Sequence, residues 1–251
     1  MSTRTAIAAR AVGATKVYRT GATAVRALDG VTVEFPEGRF IAIMGARGSG
    51  KSTLMHCVAG LDRLSSGQVS LGCVELGSLS DADLALLRRE QVAFVFRSFN
   101  LVPTLTAREN ITLPLLLARK RPDPVWLEAV MDTVHLGDSL TLRPWELSGG
   151  QQQQVALARA LAIRPRIVLA DEPTGNLGCR SGAELLRLFR QAVRELGQTV
   201  VMATHDPAVA AAADSVLFLS GGRLAGQMQH PTPAAILDQI ERFKGMEYRA
   251  I

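Results

Sequence analysis

The sequence predicts an α/β fold. A mostly parallel sheet is preceded by an antiparallel β portion and interrupted by an inserted α-helical subdomain. Three observations predict it. The stretches "IVL" (167–169) and "TVVM" (199–202) run apolar without alternation, as strands covered on both faces do, and such strands favour a parallel sheet. From Arg166 onward, strand and helix patterns alternate. Between Thr104 and about Ala162 the pattern is helical instead, and Pro114, Pro122 and Pro124 divide it into several short helices.

The elements follow in order. Val31 to Phe35 alternates as a half-buried strand, "PEG" turns, and Phe40 to Met44 is a short apolar strand. A glycine-rich loop leads into an apolar helix from Ser52 to Ala59. Ser80 to Asp83 opens a helix that runs to about Glu90. Val92 to Phe96 reads as a buried strand that ends at the charged Arg97. Thr106 and Glu109 have the spacing of a capping box. "RIVLAD" is a strand, "SGAELLRLFRQAVREL" an amphipathic helix and "QTVVMAT" a strand. "SVLFLSGGRLAG" is a hairpin turning at Gly221 and Gly222. The chain reads as one domain over 1–251, with a core at about 1–96 and 161–228, an insert at about 97–160 and a C-terminal helix at about 231–245.

Bulk properties narrow the class. A chain of 251 residues, 47% hydrophobic and 20% charged, is long enough for one large core or a core with a small subdomain. No apolar run approaches the 18 or so residues that span a bilayer, and "MSTRTAIAAR" shows no leader pattern. Cys57, Cys73 and Cys179, with His56, His135, His205 and His230, show neither disulfide nor zinc spacing. The net charge of +5 is modest, and no nucleic-acid partner is expected from it.

One stretch carries most of the chemistry. Gly45, Ala46, Arg47, Gly48, Ser49, Gly50, Lys51, Ser52 and Thr53 match G-x-x-x-x-G-K-[ST], placed between a strand and a helix. Glycines let backbone N–H groups curl around phosphate oxygens, and the helix N-terminus adds partial positive charge. Lys51 suits the β- and γ-phosphates of a nucleotide, and the Ser52 hydroxyl suits Mg²⁺. This is the P-loop of a P-loop NTPase core. Such a site also needs a carboxylate on a neighbouring strand. Asp171 and Glu172 follow the "IVLA" strand, Asp171 suited to the Mg²⁺ shell and Glu172 to a general base for attacking water.

Between these motifs lies "LSGGQ", Leu147 to Gln151. Ser148 and the glycines cap a helix whose apolar side includes Val155, Ala158, Leu161 and Ala162. With the P-loop and the acidic pair, this resembles the ATP-binding-cassette (ABC) ATPases, over the whole chain. The resemblance implies ATP and Mg²⁺ as ligands. It implies two cassettes paired head to tail, in which Ser148, Gly149, Gly150 and Gln151 of one close on the nucleotide of the other. Tyr18 in "TKVYRTG" resembles the aromatic that stacks on adenine. His205 in "ATHD" resembles the switch histidine that contacts the γ-phosphate. "PTGNLG" resembles the loop that crosses the dimer interface. "SFNLVPTLTARENI" and "LPLLLA" are similar to the branch serving lipoprotein-release and macrolide-export permeases. An integral-membrane permease is therefore an implied partner, and the cytoplasmic face of the cell membrane the implied location.

Four departures from that pattern involve five positions. Arg97 stands where the family carries a glutamine that contacts Mg²⁺ and the attacking water. Gly178 stands where the interface loop ends in aspartate. Gln154 replaces the arginine that usually follows, and Ala46 with Arg47 replaces small or proline residues. An arginine near Mg²⁺ repels the metal and attracts phosphate. It would either hold ATP poorly poised for water attack or act as an arginine finger. The expectation is retained ATP binding with slowed hydrolysis.

The leading expectation is an ATPase subunit driving a separate permease. The alternatives are a regulatory cassette gating a membrane-partnered cell-wall hydrolase, and a binding-only cassette paired with an active one. Chromosome-maintenance and translation-factor relatives fit less well. The 96 residues between Lys51 and Ser148 hold no sustained heptads, and there is one P-loop.

Overall fold

The computed structural model describes residues 6–20 and 23–247. Residues 1–5, part of the stretch read for a leader, and Gly21 of "TKVYRTG" lie outside the described residues.

The first layer is an antiparallel sheet in the order β2-β1-β4-β5, made of β1 (Ile7–Thr20), β2 (Thr23–Pro36), β4 (Ser66–Leu71) and β5 (Val74–Glu75). The second is a six-stranded mixed sheet in the order β10-β9-β3-β8-β7-β6. Its strands are β3 (Phe40–Met44), β6 (Val92–Phe96), β7 (Ile167–Asp171), β8 (Val200–Thr204), β9 (Ser215–Ser220) and β10 (Arg223–Gln229). All its pairings are parallel except β9 with β10. That hairpin turns at Gly221 (φ 53°) and Gly222 (φ 78°), both in the left-handed region that a tight two-residue turn requires.

Strand alternation sorts the mixed sheet's side chains into two cores. Ile41, Ile43, Leu169, Val201 and Leu217 face the antiparallel sheet and α1 (Lys51–Val58). Phe40, Met44, Val168, Met202 and Phe218 face the helices. The second core is continuous through α3 (Ala107–Leu117), α4 (Pro124–Val134), α5 (Gly149–Ala162) and α6 (Cys179–Leu196). The remaining helices are α2 (Asp81–Gln91), α7 (Pro207–Ala210) and α8 (Pro233–Glu247).

Three expectations are corrected. Pro114 does not interrupt a helix but lies inside α3, which runs on to Leu117. Ala118 N–H still donates to the Pro114 carbonyl, so only the bond that Pro114 itself would donate is lost. Phe94 and Phe96 are only partly buried, because β6 is the edge of its sheet; their rings stack on each other at 5.2 Å. Beyond its first turn α5 is buried nearly all round rather than along one side, as befits a helix packed on by α3, α4 and α6. The capping box of α3 forms as expected, with Thr106 and Glu109 each satisfying the other's backbone N–H.

Candidate functional site

Strand register builds the site. Phe96 lies opposite Asp171, Asp171 opposite Ala203, and Met44 opposite Thr204. Four parallel strands therefore end level. The residues that follow them, Gly45, Arg97, Glu172 and His205, gather at the carboxyl edge of the sheet, where open α/β sheets bind ligands. An open cleft of about 1200 Å³ lies there. Ala46, Arg47, Gly48, Gly50, Lys51, Ser52 and Thr53 line it from the loop before α1, and Arg97, Asp171, Glu172 and His205 from the other strand ends.

The loop before α1 is fixed by close packing. A Cβ on Gly45 would sit 2.2 Å from the Leu219 carbonyl oxygen, and one on Gly50 would sit 2.4 Å from that of Ala27. Gly50 (φ 102°) is the N-cap of α1 and makes the sharp entry that opens backbone N–H groups toward the cleft. Lys51 Nζ donates to the Gly45 and Ala46 carbonyls, both at 2.9 Å. Burial pushes the pKa of Lys51 below its usual value, while the Glu172 and Asp171 carboxylates pull it back up. Ser49 Oγ is buried with no partner among the described residues.

Glu172 has φ 47°, a left-handed backbone that costs a non-glycine residue free energy and clusters at functional sites. Its N–H donates to Ala203 O, and its own carbonyl accepts from Gly175 N–H, both at 3.0 Å. Its Oε1 lies 2.7 Å from His205 Nδ1. A carboxylate only accepts, so Nδ1 carries the hydrogen and Nε2 is left free for another group. His205 is largely exposed and Glu172 mostly covered.

Residues 28–175 match the ABC transporter family. An uncharacterised ABC transporter ATP-binding protein of Mycobacterium tuberculosis is 43% identical over 209 residues, covering 82% of this chain and 84% of that one. The chain belongs to the ABC transporter family. The macrolide export ATP-binding/permease protein MacB of Brucella melitensis is 41% identical over 92% of this chain, which spans 36% of that longer protein. The dimeric ATP-binding cassette MJ0796, in a post-hydrolysis state bound to ADP and Pi, superposes with a TM-score of 0.78 at 36% identity. It covers 89% of this chain and 99% of that one.

The family binds ATP, with Mg²⁺ as the usual partner. The cassette's residues fit both. The glycine-rich loop and Lys51, which line the cleft, suit phosphate oxygens, and the Ser52 hydroxyl with the Asp171 carboxylate is an oxygen donor set suited to Mg²⁺.

The structure separates other sequence-predicted residues from the cleft. Ser148 to Gln151 do not line it. Ser148 is the N-cap of α5, accepting from Gln151 N–H, while Gln151 Oε1 accepts from Ser148 N–H at 2.9 Å. Tyr18 stands outside the cleft, its hydroxyl donating to Asp62 at 2.6 Å and its ring over Lys16. Burial raises its pKa, and the hydrogen bond to Asp62 adds to that. Gly178 takes the extended φ of an N-cap for α6 but offers no side chain to cap it. Gln154 is buried and reaches Glu184 at 3.5 Å.

Three supporting residues were missed from sequence. Gln153 is fully buried on α5 and donates to both the Phe96 and the Pro173 carbonyls, at 3.1 and 2.9 Å. It ties together the ends of β6 and β7. Arg159 donates to the Phe99 and Asn100 carbonyls; Phe99 and Asn100 are both in left-handed conformations. Asn176 bonds Arg97. The only signal for Gln153 was a polar residue inside an otherwise apolar helix face.

Proposed function

We propose that this cassette is the ATP-binding subunit of a transporter whose permease is a separate integral-membrane protein, and that it hydrolyses ATP slowly. In this reading it is a single ABC ATPase domain with a helical insert at about 97–160, paired with a second cassette and held at the cytoplasmic face of the membrane. The observation that carries the reading is the convergence of Lys51, Ser52, Asp171, Glu172 and His205 on one cleft.

The loop before α1 holds the phosphates through its N–H groups, and Lys51 neutralises their charge. Ser52 and Asp171 hold Mg²⁺, which supplies charge stabilisation on the phosphate oxygens. Glu172 accepts the proton of the attacking water. His205, in contact with Glu172 through Nδ1, turns its free edge to the γ-phosphate. Ser148, Gly149, Gly150 and Gln151 serve the nucleotide of the partner cassette, which accords with their position away from this chain's own cleft. Tyr18 stacks on adenine; its nearness to Thr53, a cleft residue, supports this.

Among the described residues no helix is long and apolar enough to cross a membrane. One observation supports a permease partner. Leu116 and Leu117, at the end of α3, are 73% and 67% exposed, so the insert presents apolar surface for a partner.

Slow hydrolysis rests on Arg97 and Gly178. A misplaced polar group in such a site costs about 10²–10³ in turnover. Steady-state turnover of an Arg97→Gln/Gly178→Asp double variant, measured beside the parent, tests it. At least a tenfold rise is expected, and equal rates would refute slow hydrolysis.

A further inference from the structure

The Arg97 side chain is engaged in an unexpected way. Its Nε donates to Asn176 Oδ1 at 2.7 Å and an Nη donates to the Gly175 carbonyl at 3.0 Å. Asn176 Nδ2 donates back to the Arg97 carbonyl at 3.2 Å. The two loops that follow β6 and β7 are thus clamped in both directions, at side chain and backbone. The guanidinium lies so close over the turn that a Cβ on Gly175 would sit 2.8 Å from its Nε. A side chain at 175 would make the guanidinium shift.

The clamped turn begins at Glu172. Gly175 N–H donates to the Glu172 carbonyl, and the Gly175 carbonyl is the one that Arg97 holds. A left-handed non-glycine residue persists only where its surroundings over-determine it. At Glu172 those surroundings are the bond to Ala203 O, the turn closed by Gly175, and the clamp on that turn. While the turn is held, the Glu172 carboxylate stays against His205.

We propose that Arg97 is a positioning residue, which restrains Glu172 through Gly175 and Asn176 rather than by setting its charge on the phosphates or the metal. The clamp is the cause of the slow hydrolysis proposed above and rests on that reading. Two of its five N–H donors are turned to an amide and a carbonyl of the turn. Asn176 itself does not line the cleft, which separates the two explanations experimentally.

The test is a double-mutant cycle on turnover with Arg97→Gln, Asn176→Ala and both together. KM for ATP is followed in each. The clamp predicts that Asn176→Ala alone raises kcat about fivefold, the size of one net hydrogen bond, with KM unchanged. It predicts that the double variant is no faster than Arg97→Gln. Asn176→Asp, which keeps an oxygen for the guanidinium but loses the Nδ2 donor to the Arg97 carbonyl, should accelerate turnover less than Asn176→Ala. Amide hydrogen exchange at 174–178 should quicken more in Asn176→Ala than in Asn176→Asp. Because Asn176 is exposed, loss of folding is not expected to confuse the result. If Arg97→Gln accelerates turnover and Asn176→Ala does not, the clamp is wrong and slow hydrolysis stands. If neither accelerates it, both fail.

Discussion

Gly50 and Cys57 stand seven residues apart and show how differently single residues are constrained in and behind the loop before α1. Gly50 combines φ 102° with a carbonyl oxygen 2.4 Å from where a Cβ would go. Gly50→Ala should cost about 2–4 kcal/mol, strain and clash together. A denaturant midpoint lowered with an unchanged slope would bear this out, and an unchanged midpoint would contradict it. Cys57 is buried, and burial pushes its thiol up to about 12. The sign is that of an acid with a raised pKa. Its contribution to stability is present below the ordinary thiol pKa of 9.0 and is lost as pH rises toward 12. At pH 8, Cys73 and Cys179, both exposed, should react with a thiol reagent and Cys57 should not until the protein unfolds. Three fast thiols in the native protein would contradict the packing. At this scale the P-loop residues were legible because their spacing is contiguous and their chemistry specific. Gln153, Arg159 and Asn176 were not. Each acts on backbone carbonyls brought near by tertiary packing, which leaves no local pattern to read.

The elements followed local rules closely where those rules are strong. The strands at 40–44 and 92–96 have the predicted bounds, and Ser80, Thr106 and Ser148 each cap the helix that their sequence context indicates. Pro114 misled because proline's cost in a helix is finite and the packing of Ile111 and Leu115 against α5 outweighs it. The edge position of β6 was hidden as well, since strand order is a tertiary property. Gly178 offers a prediction at this scale. It already has the dihedral angles of a helix N-cap, and open space surrounds the place of its missing side chain. Gly178→Asp should cap α6 and stabilise the fold by a few tenths of a kcal/mol. For a chain of this size that raises Tm by about 1 °C. A fall in Tm would mean that the carboxylate meets repulsion that the open site does not suggest.

For the whole molecule, the fold class was legible from the unalternating strands and the strand–helix alternation. The same period-two pattern then explains why one sheet serves two cores. What could not be read was the degree to which α5 becomes the centre of the helical side. Its N-terminus carries the "LSGGQ" segment, while its body pins the ends of β6 and β7 through Gln153 and the 99–100 turn through Arg159. One helix therefore holds that segment, the ends of β6 and β7 and the 99–100 turn. Glu172 as the base of ATP hydrolysis is tested by ATP turnover of the purified protein with and without Mg²⁺, beside Glu172→Gln. Slow, Mg²⁺-dependent turnover that falls by about 10²–10⁴ in Glu172→Gln is expected. Turnover that survives the substitution, or that needs no Mg²⁺, would contradict it.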